Sequence, residues 1–193
     1  MKYEKILKER YGLNNYQLAQ LKYVFKTLFS EISKFLIMLI LFHEKFPLFL
    51  CTVTLLCLMR ITSGGFHCNT YIGCLIFSVT YMILCINILP QLYFEKIVRL
   101  VFTVICIFIN YFFAPVSSEK HVPLNNSARH KYRLLSTAIL TFYLIIMLIV
   151  PDNQFFITGF WVIILHIVQL LLAVIHKKIC TKQLNMPVQE RSI

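Results

Sequence analysis

Residues 155–175 read FFITGFWVIILHIVQLLLAVI, a stretch without a charged residue and with His166 as its one titratable side chain. About 20 largely apolar residues suffice to cross the hydrocarbon core of a bilayer. A chain in that solvent must satisfy its own backbone hydrogen bonds, so such a block is read as an α-helix. Three further blocks approach the same length: Tyr71–Leu89, Leu100–Ala114 and Leu134–Val150. Phe46–Met59 is shorter, which suits a re-entrant segment or a tilted helix. Apolar residues make up 59% of the 193 positions, against roughly 45–50% in soluble proteins. The expected fold is all-α: a single polytopic membrane domain with six membrane segments.

The sixth segment comes first in the chain. Leu18, Leu21, Phe25, Leu28, Ile32 and Phe35 recur at helical spacing, with Gln17, Gln20, Lys22, Lys26 and Lys34 on much of the other face. That pattern predicts an interfacial helix running into a span that ends near Phe42. Glu31 and Lys34 fit such a span only if they pair or lie near headgroups. Residues 1–23 are polar and charged, with no short apolar core before a small-residue cleavage site, so this block is expected to remain in the mature protein.

The formal net charge of +11 sorts by segment. Lysines and arginines crowd the lead 1–23, the loop 115–133 and the tail 177–193, and Arg60 opens residues 60–70; only Lys45, Lys96 and Arg99 fall on the alternate side. The positive-inside rule then puts both termini and these four regions in the cytoplasm of a multi-pass cell-membrane protein. The charges flank spans and form no aromatic-studded basic face, which argues against nucleic acid and for a lipid bilayer as partner. The seven cysteines form no Cys-x-x-Cys pair or zinc-type spacing, so no metal and no cofactor is expected.

Between two apolar blocks stands RITSGGFHCNTYIGC, residues 60–74, where His67 and Cys74 are seven positions apart. On one continuous helix that spacing means a rise of about 10.5 Å, far beyond the roughly 3 Å reach of a base and its nucleophile. A working pair therefore needs a helix that starts after His67 and a loop that folds the imidazole back. Gly64 and Gly65 permit such a bend. Asn69 is a good cap, starting the helix at Thr70 and putting Cys74 just beyond its first turn. A thiolate there gains from the helix dipole, and amides near 70–73 are candidates for an oxyanion site. Arg60 suits a topology anchor or a fork for a substrate carboxylate. Cys68 is a rival nucleophile, and His166 reads as a bundle-facing residue with a backbone partner. From residue types alone a plain turn and a reactive centre both stay open.

The string Arg60-Ile61-Thr62-Ser63-Gly64-Gly65-Phe66-His67, followed by six residues and Cys74, resembles the signature of the accessory gene regulator protein B (AgrB) family. The chain's size, its membrane segments, its basic lead and Ala114-Pro115-Val116 opening a basic loop extend the resemblance. It implies a quorum-sensing membrane endopeptidase with His67 and Cys74 as the catalytic pair. The implied partner is an AgrD-like amphipathic propeptide, cut by way of a Cys74 acyl-enzyme and closed into a thiolactone or lactone ring. An acidic tail on that peptide would be drawn to Lys120, Arg129, Lys131 and Arg133. A homodimer stays open. The alternative is a small transporter or scaffold without catalysis, for which His166, Asn87, Asn110 and Gln169 are the polar groups available in the spans.

Overall fold

The computed structural model describes residues 14–64, 70–116 and 125–184. Among these residues the regular structure is helical, apart from a single bridge between Gly64 and Val116. The helices are α1 (Asn15–Leu41), α2 (Phe46–Ser63), α3 (Tyr71–Ile83), α4 (Lys96–Phe113), α5 (Asn126–Ile149) and α6 (Gln154–Leu184). A 3-10 turn, His43–Lys45, leads into α2; a π turn, Leu84–Ile88, and a 3-10 turn, Leu89–Gln91, prolong α3. Within the described residues, five stretches are long and apolar enough to cross a membrane: His43–Ser63, Tyr71–Gln91, Lys96–Phe113, Asn126–Ile149 and Gln154–Ile179. The hydrophobic blocks are thus the helices of an all-α polytopic fold.

Two compact units divide the chain, residues 1–44 and 45–193. The first contains α1, which is not among the five spanning stretches. Its start is fixed locally, the Asn14 amide donating to Gln17 Oε1 at 3.0 Å, one half of a capping box. Glu31 and Lys34 pair within the helix, the neutralisation their position demanded. Phe25, Leu28 and Ile32 of the predicted apolar stripe are exposed, with Phe29, Leu36 and Ile40 beside them. So apolar a surface suits lipid better than water.

In the second unit α6 is the central helix: 61% of its apolar window is buried, against 17–39% in the other four. Helices α2 and α4 pack on α6, and α5 packs on α2 and α4. Met59, Cys106, Ala114, Leu140, Ile163, Ile167 and Leu170 form the shared core. At the α5–α6 contact the Tyr143 ring lies over Gly159, where a Cβ would come within 2.9 Å of it, and its hydroxyl donates to the Phe156 carbonyl at 2.7 Å.

Several threonine hydroxyls inside the spans are satisfied by their own helix, although that of Thr158 on α6 is buried without a partner. Thr52 and Thr103 donate to the carbonyls four residues back, Leu48 and Arg99, each at 2.8 Å. Such back-bonding lets a polar residue sit in lipid without a partner helix. The π turn on α3 has a local cause in Pro90, which supplies no N–H to the preceding turn.

One end of the bundle is tied by charge. Arg99, 1% exposed, pairs with Asp152 and donates from Nε to the Phe94 carbonyl at 3.0 Å. Lys96 reaches the Val150 carbonyl at 3.1 Å, and Lys45 reaches Asn87 Oδ1 at 2.7 Å. Lys45, Lys96, Arg99 and the turn at 151–154 thereby gather at the same end.

Several helices run past the blocks that announced them. Helix α2 continues through Ser63, so the connection to α3 begins at Gly64 and not at Arg60, and α2 with its 3-10 lead is long enough to cross. Helix α5 begins at Asn126 and carries Arg129, Lys131 and Arg133 on helix, not on loop. Polar residues continue a helix as readily as apolar ones; only their hydropathy marks the edge of the block.

Candidate functional site

The end of the bundle opposite Asp152 is built around Gly64. Its N–H closes the last turn of α2 on the Arg60 carbonyl at 3.1 Å, and its backbone then swings to φ 79°, ψ −162°. That region belongs essentially to glycine. The reason for it is next door: the Val116 amide donates to the Ser63 carbonyl at 3.1 Å, and a Cβ at Gly64 would stand 2.4 Å from the Val116 carbonyl oxygen. The first glycine of the pair therefore serves a close approach between the end of α2 and the Ala114-Pro115-Val116 segment, whose Ala114–Pro115 bond is cis.

That segment is held from its other side as well. Arg133 donates from Nε to the Ala114 carbonyl at 3.1 Å and lies over the Tyr111 ring, 5.7 Å from its centroid. Asn110, buried, donates to Ser136 Oγ at 2.8 Å, and Ser136 in turn donates to the Arg133 carbonyl at 3.0 Å. Arg133, expected to recruit an acidic peptide, also braces the turn after α4. Arg129 and Lys131 are exposed on the opening turns of α5, as recruitment requires; Lys120 lies outside the described residues.

Helix α3 opens at Tyr71 with Thr70 as its cap, one residue later than the cap at Asn69 that the sequence suggested. Thr70 Oγ1 accepts from the Gly73 amide at 3.2 Å, and the Thr70 carbonyl accepts from the Cys74 amide at 3.0 Å. Cys74 thus closes the first turn and is half-buried at the start of a helix, where the dipole favours an anion. Because the cap occupies the Gly73 amide, that N–H is not open to an oxyanion. His67, Gly65, Cys68 and Asn69 lie outside the described residues. Among the described residues, no three His, Cys, Asp or Glu side chains converge as a metal site would require.

On the inner face of α2, Ser63 meets a residue the sequence had left aside. His166 of α6 is fully buried, and its Nε2 lies 2.6 Å from Ser63 Oγ. Its partner is thus a side chain, not the backbone partner expected. Nearby, Tyr81 donates to the Val162 carbonyl at 2.8 Å, and Arg60 Nε is buried with no hydrogen-bond partner. A histidine inside a span carries a cost that marks it for attention, and that was the one signal in the sequence for this contact. Of the polar groups set aside for a transporter, Asn87 and Asn110 are engaged with Lys45 and Ser136.

Similarity to known proteins bears on the same residues. The model of a family described as accessory gene regulator B matches residues 3–170. A protein of Clostridium beijerinckii described as AgrB-like is 33% identical over 144 residues, covering 72% of this chain and 70% of its own length. No solved structure matches the chain. With a family match over most of its length and a relative this similar, the chain belongs to the accessory gene regulator B family.

Proposed function

We propose that this protein is a membrane cysteine endopeptidase that removes the C-terminal tail of a small amphipathic propeptide and promotes its ring closure, with Cys74 as nucleophile and His67 as its base. Family membership supports involvement in quorum-sensing peptide processing. The observation that carries the finer reading is the seat of Cys74 on the first turn of α3, half-buried, with Gly64 ending α2 at the other side of a five-residue connection. His67 stands three positions before Thr70, so the covalent tether between their Cα atoms is at most about 11 Å. That reach is compatible with an imidazole meeting the thiol.

In the proposed reaction His67 takes the thiol proton and Cys74 Sγ attacks the scissile carbonyl. The tail leaves as an amine that receives the proton from His67, and the remaining peptide is held as a thioester on Cys74. A cysteine or serine within the peptide then attacks that thioester, forming the ring and returning the thiol. Thioester-to-thioester exchange is nearly balanced in energy, and a water-poor site at the membrane edge limits hydrolysis. The site lies at the cytoplasmic face, where thiols stay reduced. Residues 1–23 and 177–193 also face the cytoplasm, and the substrate approaches along the inner leaflet as an amphipathic helix. Arg129, Lys131 and Lys120 attract an acidic tail, and Arg60 offers a guanidinium to a substrate carboxylate.

The test is coexpression with the propeptide, reading tail loss by mass. Cys74→Ala and His67→Ala are each expected to abolish cleavage while the protein still inserts. Normal processing by Cys74→Ala would remove the mechanism.

A further inference from the structure

The buried contact between α2 and α6 bears on that site without belonging to it. Ser63 has one hydroxyl proton and two neighbours, the Met59 carbonyl at 2.6 Å and His166 Nε2 at 2.6 Å. The carbonyl can only accept. The proton therefore goes to Met59, one turn back on α2, and His166 donates Nε2–H to Ser63 Oγ. The histidine Nδ1 is then a bare acceptor, buried and without a partner. Thr52 and Thr103 answer to their own helices, whereas His166 reaches across to another. A leucine there would be cheaper in lipid, since a buried polar atom left unpaired is costly. Interhelical hydrogen bonds in membranes add little stability on average. What His166 supplies is geometry.

The geometry it controls is specific. Ser63 is bound at its side chain by His166 and at its carbonyl by the Val116 amide, so the last residue of α2 is clamped from α6 and from the turn after α4. Gly64, the next residue, is pressed against Val116, and the connection to Cys74 departs from there. Rotation of Ser63 about the α2 axis would shift Gly64, from which the connection departs. A displacement of about 1 Å at a reacting group can cost on the order of a hundredfold in rate.

We infer that His166 is a positioning residue for the reactive string: acting through Ser63, it sets the end of α2 from which the segment carrying His67 departs. The inference rests on the proposed reading of Cys74 as the reactive thiol.

Two readouts test it on the full-length protein in proteoliposomes. One is the cleavage of the propeptide, resolved into kcat and KM. The other needs no substrate: the rate at which N-ethylmaleimide modifies Cys74, mapped by mass. His166→Phe and Ser63→Ala are each expected to lower kcat tenfold or more with KM within twofold, and to slow Cys74 modification. His166→Gln, whose amide can still donate to Ser63, is expected to recover both to within about threefold. The double variant should be no slower than the worse single one, because both changes remove one contact. Should His166→Phe fail to fold, Ser63→Ala and His166→Gln decide the matter. Unchanged kcat in Ser63→Ala, a His166→Gln protein as impaired as His166→Phe, or losses that multiply in the double variant would each overturn the inference. Cleavage that survives Cys74→Ala would instead sink the proposed reaction, and the modification rates would still report whether His166 governs that thiol.

Discussion

Gly64 carries two demands in one residue, a backbone conformation that side chains avoid and a neighbour too close for a Cβ. Gly64→Ala therefore meets conformational strain of about 1–3 kcal/mol as well as a clash with backbone that cannot rotate away. The expected result is loss of propeptide cleavage by at least tenfold together with a lower melting temperature in detergent. A variant that cleaves and melts like the parent would mean that the bridge to Val116 is dispensable. In the sequence, the paired glycines were legible as a bend. Nothing in their spacing announced that Val116, 52 positions after Gly64, is what the bend accommodates. Arg133 tells the same story. Its charge was legible, but whether it faces solvent or braces Ala114 depends on where α5 crosses α4.

Among the elements, α3 shows how local chemistry places the thiol proposed as nucleophile. Thr70 ends the preceding connection and starts the helix that carries Cys74, through a side-chain bond to Gly73. Thr70→Ala is expected to cost roughly 1 kcal/mol of stability, the usual value of an N-cap. Thr70→Ser should leave stability nearly unchanged. Thermal unfolding of the two variants checks the difference, and slower modification of Cys74 in Thr70→Ala alone would tie the cap to the thiol's environment. Helix existence was legible for every long apolar block, because a segment in lipid has few other ways to satisfy its backbone. Helix limits were less so. Arg60–Ser63 and Asn126–Arg133 are polar yet helical, since hydropathy reports solvent while hydrogen bonding decides where a helix stops.

For the whole molecule, the opposite end of the bundle holds a second lesson. Arg99 is buried almost completely and answered by the partly exposed Asp152. Removing one member of such a pair leaves a charge stranded, at a cost of several kcal/mol when fully buried and less where one partner meets water. Asp152→Ala is expected to destabilise by about 2 kcal/mol, and the double change Arg99→Met with Asp152→Ala to regain most of it. Denaturation midpoints of the three proteins decide, and equal stability of Asp152→Ala and parent would show that the pair is idle. Arg99 had been assigned to its side of the membrane from charge placement alone, but its pairing with Asp152 was not foreseeable from that.

Chain composition and block length by themselves determined that this protein is a bundle of helices suited to lipid, with a reactive type of residue beside a paired glycine. Those are properties of single segments, set by the solvent each segment can tolerate. Only tertiary structure decided that Ser63 meets His166, that Gly64 lies against Val116 and that Arg133 holds Ala114. Such contacts depend on how each helix is rotated about its axis. In a chain whose spans share one apolar alphabet, the hydrophobic effect does not choose that rotation; close packing and a few cross-helix hydrogen bonds do.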